Sequence, residues 1–299
     1  MTVARGLASA VFGLCLVAGL ARAASGDAGP TSANGGGSAS PYAQERAKFQ
    51  THLTRTGPAP QDYSPIVPPA GVREISFRSG ALTLKAWVSA APANGERRPA
   101  VLFLHGGFSF GEDDWEMSQP YRDAGFVVLT PMLRGENGQP GSYAMFFGET
   151  DDVLAAADAL AALPYVRADR LFLAGHSVGG TLTMLTAMRT GRFRAAASFS
   201  GSPDQMAWGK AQPKLVPFDP NDAGEFNIRS PINHAGSFLV PTRLYFGSQE
   251  AYFAGVTTRL AQLAQGAGRD VRAAAVPGDH MSAVPEEMKQ SIAFFHDHE

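Results

Sequence analysis

Thiol chemistry is nearly absent from this sequence. One of its 299 residues is a cysteine, Cys15, and it sits inside an apolar run at residues 6–20. Once that run is removed the chain has no thiol, which excludes disulfides, zinc–thiolate sites and a cysteine nucleophile. Phe12-Gly13-Leu14 does not fit the pattern expected ahead of a lipid-accepting cysteine. Charge is equally sparse. Twenty-five Lys and Arg face 27 Asp and Glu, for a formal net charge of −2, and no basic block or stripe stands out. Nucleic-acid binding therefore has no electrostatic footing. The run 6–20 is also short of the ~20 residues a membrane span requires.

That run instead completes a secretory leader. Arg5 is its short positive region, GLASAVFGLCLVAGL its apolar region, and Ala21-Arg22-Ala23 a small-residue cleavage site. Cleavage before Ala24 removes two arginines and no acid, which takes the net charge from −2 to −4. The expected location is periplasmic or secreted, with no stable membrane insertion after cleavage.

What remains is rich in apolar residues, 44% of the whole chain, ample for one large core. Residues 24–41, with Gly35-Gly36-Gly37 at their centre, read as a flexible linker. Residues 42–55 have helical spacing before Pro58, Pro60, Pro68 and Pro69 interrupt. Together 24–71 form a linker and N-terminal extension. From residue 72 onward, two short strands flank Ser79-Gly80. Apolar runs and helical patterns then alternate to the end: strands at 101–104, 126–130, 170–174, 194–200, 240–246 and 270–276, and helices at 115–124, 153–163, 178–190, 252–265 and 284–297. This rhythm predicts an α/β domain over 72–299, with a mostly parallel central sheet and helices on both faces. Residues 202–239, rich in Pro, Asp and Asn and carrying Trp208, Phe218 and Phe226, break the rhythm and are expected to form a small cap.

The chemistry centres on Gly175-His176-Ser177-Val178-Gly179. In a chain with 33 glycines such a pentapeptide arises by chance roughly 0.2 times, so the motif alone is weak. Its context is stronger. A strand, Arg170–Ala174, enters it and a helix, Val178–Met188, leaves it, the strand–turn–helix elbow that lifts a serine hydroxyl above a sheet. Ser177 is the expected nucleophile. The base belongs after the last strand, where His280 lies in Pro277-Gly278-Asp279-His280. The orienting acid belongs after the strand 242–246, where Glu250 stands, with Asp204 as rival; Asp279 adjoins His280 and its side chain would tend to point elsewhere. The oxyanion hole takes the Val178 amide and a second amide from Leu104-His105-Gly106-Gly107-Phe108, with Gly107 preferred and Phe108 the alternative. His105 reads as a structural hydrogen-bonder of that loop, and Phe108 and His176 as substrate-binding residues. Arg134 either binds a substrate carboxylate or pairs with Glu136, Asp151 or Asp152, the ordinary fate of a loop arginine.

These blocks, together with Arg134-Gly135-Glu136-Asn137-Gly138, Asp151-Asp152, and Ser230-Pro231 followed by Pro241-Thr242, resemble the α/β-hydrolase fold. More closely, they resemble the catalytic domain of the prolyl oligopeptidase (S9) family and its dienelactone-hydrolase-like relatives. Three departures stand out. Full-length peptidases of that family carry a large β-propeller ahead of the hydrolase domain, whereas only 24–71 precede it here. Phe108 offers no hydroxyl where some members place a tyrosine. Many relatives have Asp where this chain has Glu250. The expected activity is that of an exported serine hydrolase working through an acyl-enzyme, without metal or cofactor. A small ester or lactone is the first candidate substrate and a short peptide the second; a non-catalytic binding protein on the same fold is the remaining alternative. Oligomeric state is not legible.

Overall fold

Eight strands hydrogen-bond into one sheet in the order β1-β2-β4-β3-β5-β6-β7-β8. They are β1 (Val72–Ser79), β2 (Leu82–Ser89), β3 (Arg98–Leu104), β4 (Val127–Pro131), β5 (Val166–His176), β6 (Ala195–Phe199), β7 (Thr242–Gly247) and β8 (Val271–Val276). The β1–β2 and β2–β4 pairs are antiparallel and every other pair is parallel. This is the expected α/β-hydrolase architecture. The molecule is a computed structural model that describes residues 39–299. The expected leader, Cys15 and all but the end of the expected linker lie outside the described residues.

A two-residue loop, Gly80-Ala81, joins β1 to β2, with Ser79 opposite Leu82; Gly80 takes φ +56°, which a tight hairpin favours. In the sheet centre, the alternation of strand side chains divides the core in two. Leu102, Leu104, Leu171 and Leu173 point into one cluster, while Val101, Phe103, Phe172 and Ala174 point into the other. All eight are at most 1% exposed, and each large one contributes roughly 1.5–3 kcal/mol of burial free energy.

Nine helices occur among the described residues: α1 (Pro41–Lys48), α2 (Glu112–Met117), α3 (Gln119–Asp123), α4 (Glu149–Ala161), α5 (Val178–Arg189), α6 (Gln205–Ala211), α7 (Ala223–Asn227), α8 (Ala251–Gly266) and α9 (Val284–His296). Residues of α4, α5 and α8 share the first cluster, and residues of α2, α3 and α9 the second, so helices cover both faces. The single helix expected over 115–124 is instead two: α2 ends at Met117, Ser118 caps both helices, and Pro120, which has no N–H to donate, sits in the first turn of α3. No helix among the described residues is long and apolar enough to cross a membrane.

Residues 202–239, between β6 and β7, hold α6, α7 and two 3-10 turns, Pro213–Leu215 and Pro231–Ser237. Phe218 and Phe226 pack edge to face at 5.0 Å within this segment. Arg229 is fully buried and pairs with Glu225. The N-terminal extension packs onto this segment. Ser40 caps α1, its hydroxyl accepting from the Ala43 amide at 3.1 Å, and Tyr42, 1% exposed, donates to the Ile228 carbonyl at 3.1 Å. The end of the stretch read as flexible linker is thus built into the fold. Helical spacing over 42–55 is realised only to Lys48. Beyond it the chain becomes a strap: Leu53 bridges to Phe218, and the Thr54 and Arg55 amides both donate to the Pro217 carbonyl, at 2.8 and 3.0 Å.

Candidate active site

Ser177 follows the last residue of β5 and precedes the first of α5. Its backbone stands at φ +56°, ψ −114°, a strained conformation that persists only where the surroundings impose it. Close packing supplies that imposition. A Cβ on Gly179 would stand 2.1 Å from the Leu104 carbonyl oxygen, and one on Gly175 would stand 2.4 Å from the Gly179 oxygen. The helix can begin this close to β3 only because both positions are glycine.

The structure brings Ser177, His280 and Glu250 into one hydrogen-bonded chain. The Ser177 hydroxyl lies 3.0 Å from His280 Nε2, and His280 Nδ1 lies 2.6 Å from Glu250 Oε1. The far carboxylate oxygen, Oε2, accepts from the Gly247 amide at 2.8 Å and from the Ser200 hydroxyl at 2.5 Å. Burial works against charge on Glu250, but the donors His280, Ser200 and Gly247 outweigh it and hold the carboxyl below its usual pKa. An ionised carboxylate accepts only, so His280 carries its proton on Nδ1 and turns the Nε2 lone pair toward the Ser177 hydroxyl. Phe253 stacks on the imidazole, with centroids 5.6 Å apart and planes 27° off parallel.

The rival acids have other tasks. Asp204 caps α6, accepting from the Ala207 amide at 3.0 Å. Asp279 folds its own turn, accepting from the amides of Met281 and Ser282 and from the Ser282 hydroxyl, which hold its pKa down at about 2.

The loop expected to complete the oxyanion hole lies against the nucleophile: a Cβ on Gly106 would be 3.6 Å from the Ser177 Cβ. Gly107 sits at φ +66°. Val178 is the first residue of α5, where a helix leaves amides without intrahelical partners. The Phe108 alternative falls away, because that amide donates to the Gln61 side-chain oxygen at 2.8 Å. His105 is 4% exposed. Its Nδ1 faces the Gly106 carbonyl at 2.8 Å and its Nε2 faces Glu136 Oε2 at 3.1 Å. Both partners are acceptors, so both ring nitrogens donate and the ring is an imidazolium. Burial opposes that charge, and Glu136 overcomes it, raising the pKa to about 9.

His176, expected at the substrate, is corrected by the structure. It is 3% exposed and its Nε2 donates to the His280 carbonyl at 2.8 Å. Burial, and then the neighbouring His280, push its pKa down to about 4, so it is a neutral prop beneath the catalytic-type histidine rather than a substrate contact. Phe108 is 9% exposed; its ring meets Tyr143 edge to face at 5.2 Å and Trp208 at 6.2 Å, forming an aromatic wall beside the oxyanion loop. Arg134 takes the structural option. Its Nε and Nη2 grip Asp152 at 2.8 and 2.7 Å. Sequence reasoning missed Ser200 and Gln61. Ser200 directly follows β6, at the sheet edge where the site lies, and that position was its only signal. Among the described residues no cluster of His, Cys, Asp and Glu has the makings of a metal site.

A family model, Peptidase_S9, the prolyl oligopeptidase family, matches residues 113–293, more than half of the chain. An uncharacterized peptidase of Bacillus subtilis, YtmA, is 26% identical over 194 residues, which span 59% of this chain and 72% of that protein. Among solved structures, the puromycin-hydrolyzing peptidase of Mycobacterium tuberculosis superposes with a TM-score of 0.65 at 23% identity, covering 77% of this chain and 40% of its own. The acylaminoacyl peptidase of Pyrococcus horikoshii gives 0.62 at 21% identity, covering 76% and 41%. The chain thus spans about two-fifths of the length of these peptidases, and at such identities the likeness speaks for the fold.

Proposed function

The chain belongs to the prolyl oligopeptidase family, and from that footing we propose that it is a serine peptidase that cleaves short peptides through a Ser177–His280–Glu250 triad. The observation that carries this reading is the continuous relay from hydroxyl to imidazole to carboxylate, at 3.0 and 2.6 Å. Ser177 attacks the scissile carbonyl while His280 Nε2 takes its proton. The amides of Val178 and Gly107 receive the developing oxyanion. Collapse breaks the C–N bond, with His280 returning the proton to the leaving amine, and a water molecule repeats the cycle to free Ser177. The wall of Phe108 and Trp208 gives an apolar or aromatic substrate side chain a surface to lie on.

The same chemistry opens an ester, which the sequence placed first. Family membership and the Bacillus relative's description as a peptidase support putting the peptide first. The test is fluorophosphonate labelling together with a panel of aminoacyl- and dipeptidyl-nitroanilides beside p-nitrophenyl esters. Wild-type protein is expected to label and to release nitroaniline, and Ser177→Ala to do neither while keeping its circular-dichroism spectrum. Turnover of esters alone would make the protein an esterase. Absence of labelling would make it a non-catalytic protein on this fold.

A further inference from the structure

We infer that Gln61 is a positioning residue of the oxyanion loop, and that the N-terminal strap is therefore a working part of the active site rather than a tether ahead of it. The inference deepens the serine-hydrolase reading above and rests on it.

Two peptide groups flank Gly107. Planar trans peptides point their C=O and N–H in opposite directions. The Gly106 carbonyl is held by His105 Nδ1 at 2.8 Å, and His105 is itself held through Nε2 by the buried Glu136. The Gly107 N–H, on the same peptide, therefore points away from the His105 ring. The next peptide is held from the opposite end: its N–H, that of Phe108, donates to Gln61 Oε1 at 2.8 Å. Gln61 also fills the space beside Gly107, where a Cβ would come within 2.7 Å of Oε1. With one clamp on each side, the left-handed φ of +66° at Gly107 is fixed from both directions, and so is the direction of its N–H.

The two clamps differ in origin. His105 and Glu136 belong to the hydrolase domain, 31 residues apart; Gln61 reaches in from the strap, 47 residues before the amide it binds. The strap has its own anchors on either side of the catalytic-loop contact. The Ala59 amide donates to the Gly135 carbonyl at 2.9 Å, and the Ser109 hydroxyl donates to the Asp62 carbonyl at 3.3 Å. Gln61 is exposed, and its side chain reaches the core only through the Phe108 amide. That combination separates positioning from folding. Losing the Gln61 acceptor frees the Phe108 amide, lets Gly107 relax and misdirects one oxyanion donor, while strap and core remain in place.

The test is Gln61→Leu, which keeps the side chain's bulk and removes its acceptor, assayed as the full chain on the best nitroanilide or ester substrate. Wild-type turnover and probe labelling are measured in parallel, because an inert wild type overturns the proposed function itself and this inference with it. Given an active wild type, kcat is expected to fall about tenfold or more, since small misplacements of catalytic geometry cost up to ~10²-fold. KM should stay within about twofold, as expected of an interaction realised in the transition state, and the melting temperature within about 2 °C, as for an exposed substitution. The inhibition constant of a peptide boronate, whose tetrahedral anion occupies the oxyanion hole, should rise in parallel with the loss in kcat. An unchanged kcat overturns the inference. So does a rise in KM alone, which would make Gln61 a substrate contact, or a drop in kcat accompanied by a large fall in melting temperature, which would make it a folding contact.

Discussion

Glu250→Gln is the substitution whose consequence the geometry determines most sharply. It changes one oxygen to an NH2 group and almost no volume. Three donors face the wild-type carboxylate: His280 on Oε1, and the Gly247 amide and Ser200 hydroxyl on Oε2. The glutamine has one oxygen to offer. Placed toward His280, it would aim its NH2 at the Gly247 N–H, a backbone donor that cannot rotate away. Placed toward Gly247 and Ser200, it keeps both of those bonds and turns the NH2 toward His280 Nδ1. The second arrangement wins, and it forces His280 to carry its proton on Nε2, where it can no longer accept the proton of Ser177. A wrong-tautomer block of this kind costs about 10⁴-fold in kcat in serine hydrolases, or roughly 5 kcal/mol of barrier. Steady-state kinetics on the preferred substrate, with the melting temperature as a control, measures it. A second substitution should restore part of the activity. Removing Ser200's hydroxyl in Glu250→Gln/Ser200→Ala leaves Gly247 as the sole competitor and recovers part of the loss. A Glu250→Gln enzyme within about tenfold of wild type would show that the carboxylate does not set the tautomer, and the triad assignment would lose its acid.

Three further expectations concern stability and processing. Glu287 is fully buried in α9 with neither carboxylate oxygen hydrogen-bonded. Burial, and then the nearby Glu250, raise its pKa to about 8. A carboxyl whose folded pKa is raised binds its proton more tightly when folded, so its contribution is intact below the unfolded pKa and is lost as pH climbs from about 4.5 to 8. Glu287→Gln should leave the melting temperature near wild type at pH 5 and raise it at pH 9, by differential scanning fluorimetry; equal pH profiles would refute the assignment. His176 acts at the other end: a depressed folded pKa of about 4 removes stability as pH falls from about 6.5 toward 4. We also propose that residues 1–23 direct export and are removed. Expression of the full chain in a Gram-negative host should yield periplasmic protein beginning at Ala24, and N-terminal sequencing that finds Thr2 or Met1 on soluble cytoplasmic protein would overturn this.

The parts of this site that were legible in the sequence are those whose causes are local. The elbow is written in consecutive residues, because the close approaches at Gly175 and Gly179 and the strand and helix on either side are all encoded within about ten positions. His280 and Glu250 were reachable because chain order in this fold dictates which loop delivers which group, and a parallel sheet delivers the loops after its strands to one edge. The parallel pairing of β3 through β8 follows from the same alternation of elements, whereas the order β1-β2-β4-β3-β5-β6-β7-β8, with β4 between β2 and β3, depends on contacts between distant segments. Boundaries were less legible. The 115–124 stretch broke at Pro120, and helical spacing in 42–55 gave way at Phe49, whose amide takes the α1 cap bonds while its backbone turns extended.

The misplacement of His176 and the absence of Ser200 and Gln61 from the sequence reading share a different cause: each works through a contact made by another part of the chain. Whether a histidine beside a nucleophile touches substrate or a neighbouring carbonyl depends on what lies above it, and here the His280 backbone, 104 residues away, takes its Nε2. Ser200 acquires its meaning only when β6 lies next to β7 and the Glu250 carboxylate arrives, 50 residues later. These distant contacts are also the ones that convert a generic serine-hydrolase pattern into a working geometry. In the proposed mechanism the triad residues supply the reacting atoms. Ser200 and Gly247 select the ionised, correctly oriented carboxylate, His176 holds the backbone of the base, and His105 with Glu136 sets the oxyanion loop. Each of these supports is a hydrogen bond to a group that would otherwise rotate or relax, so its loss should register in turnover well before it registers in fold.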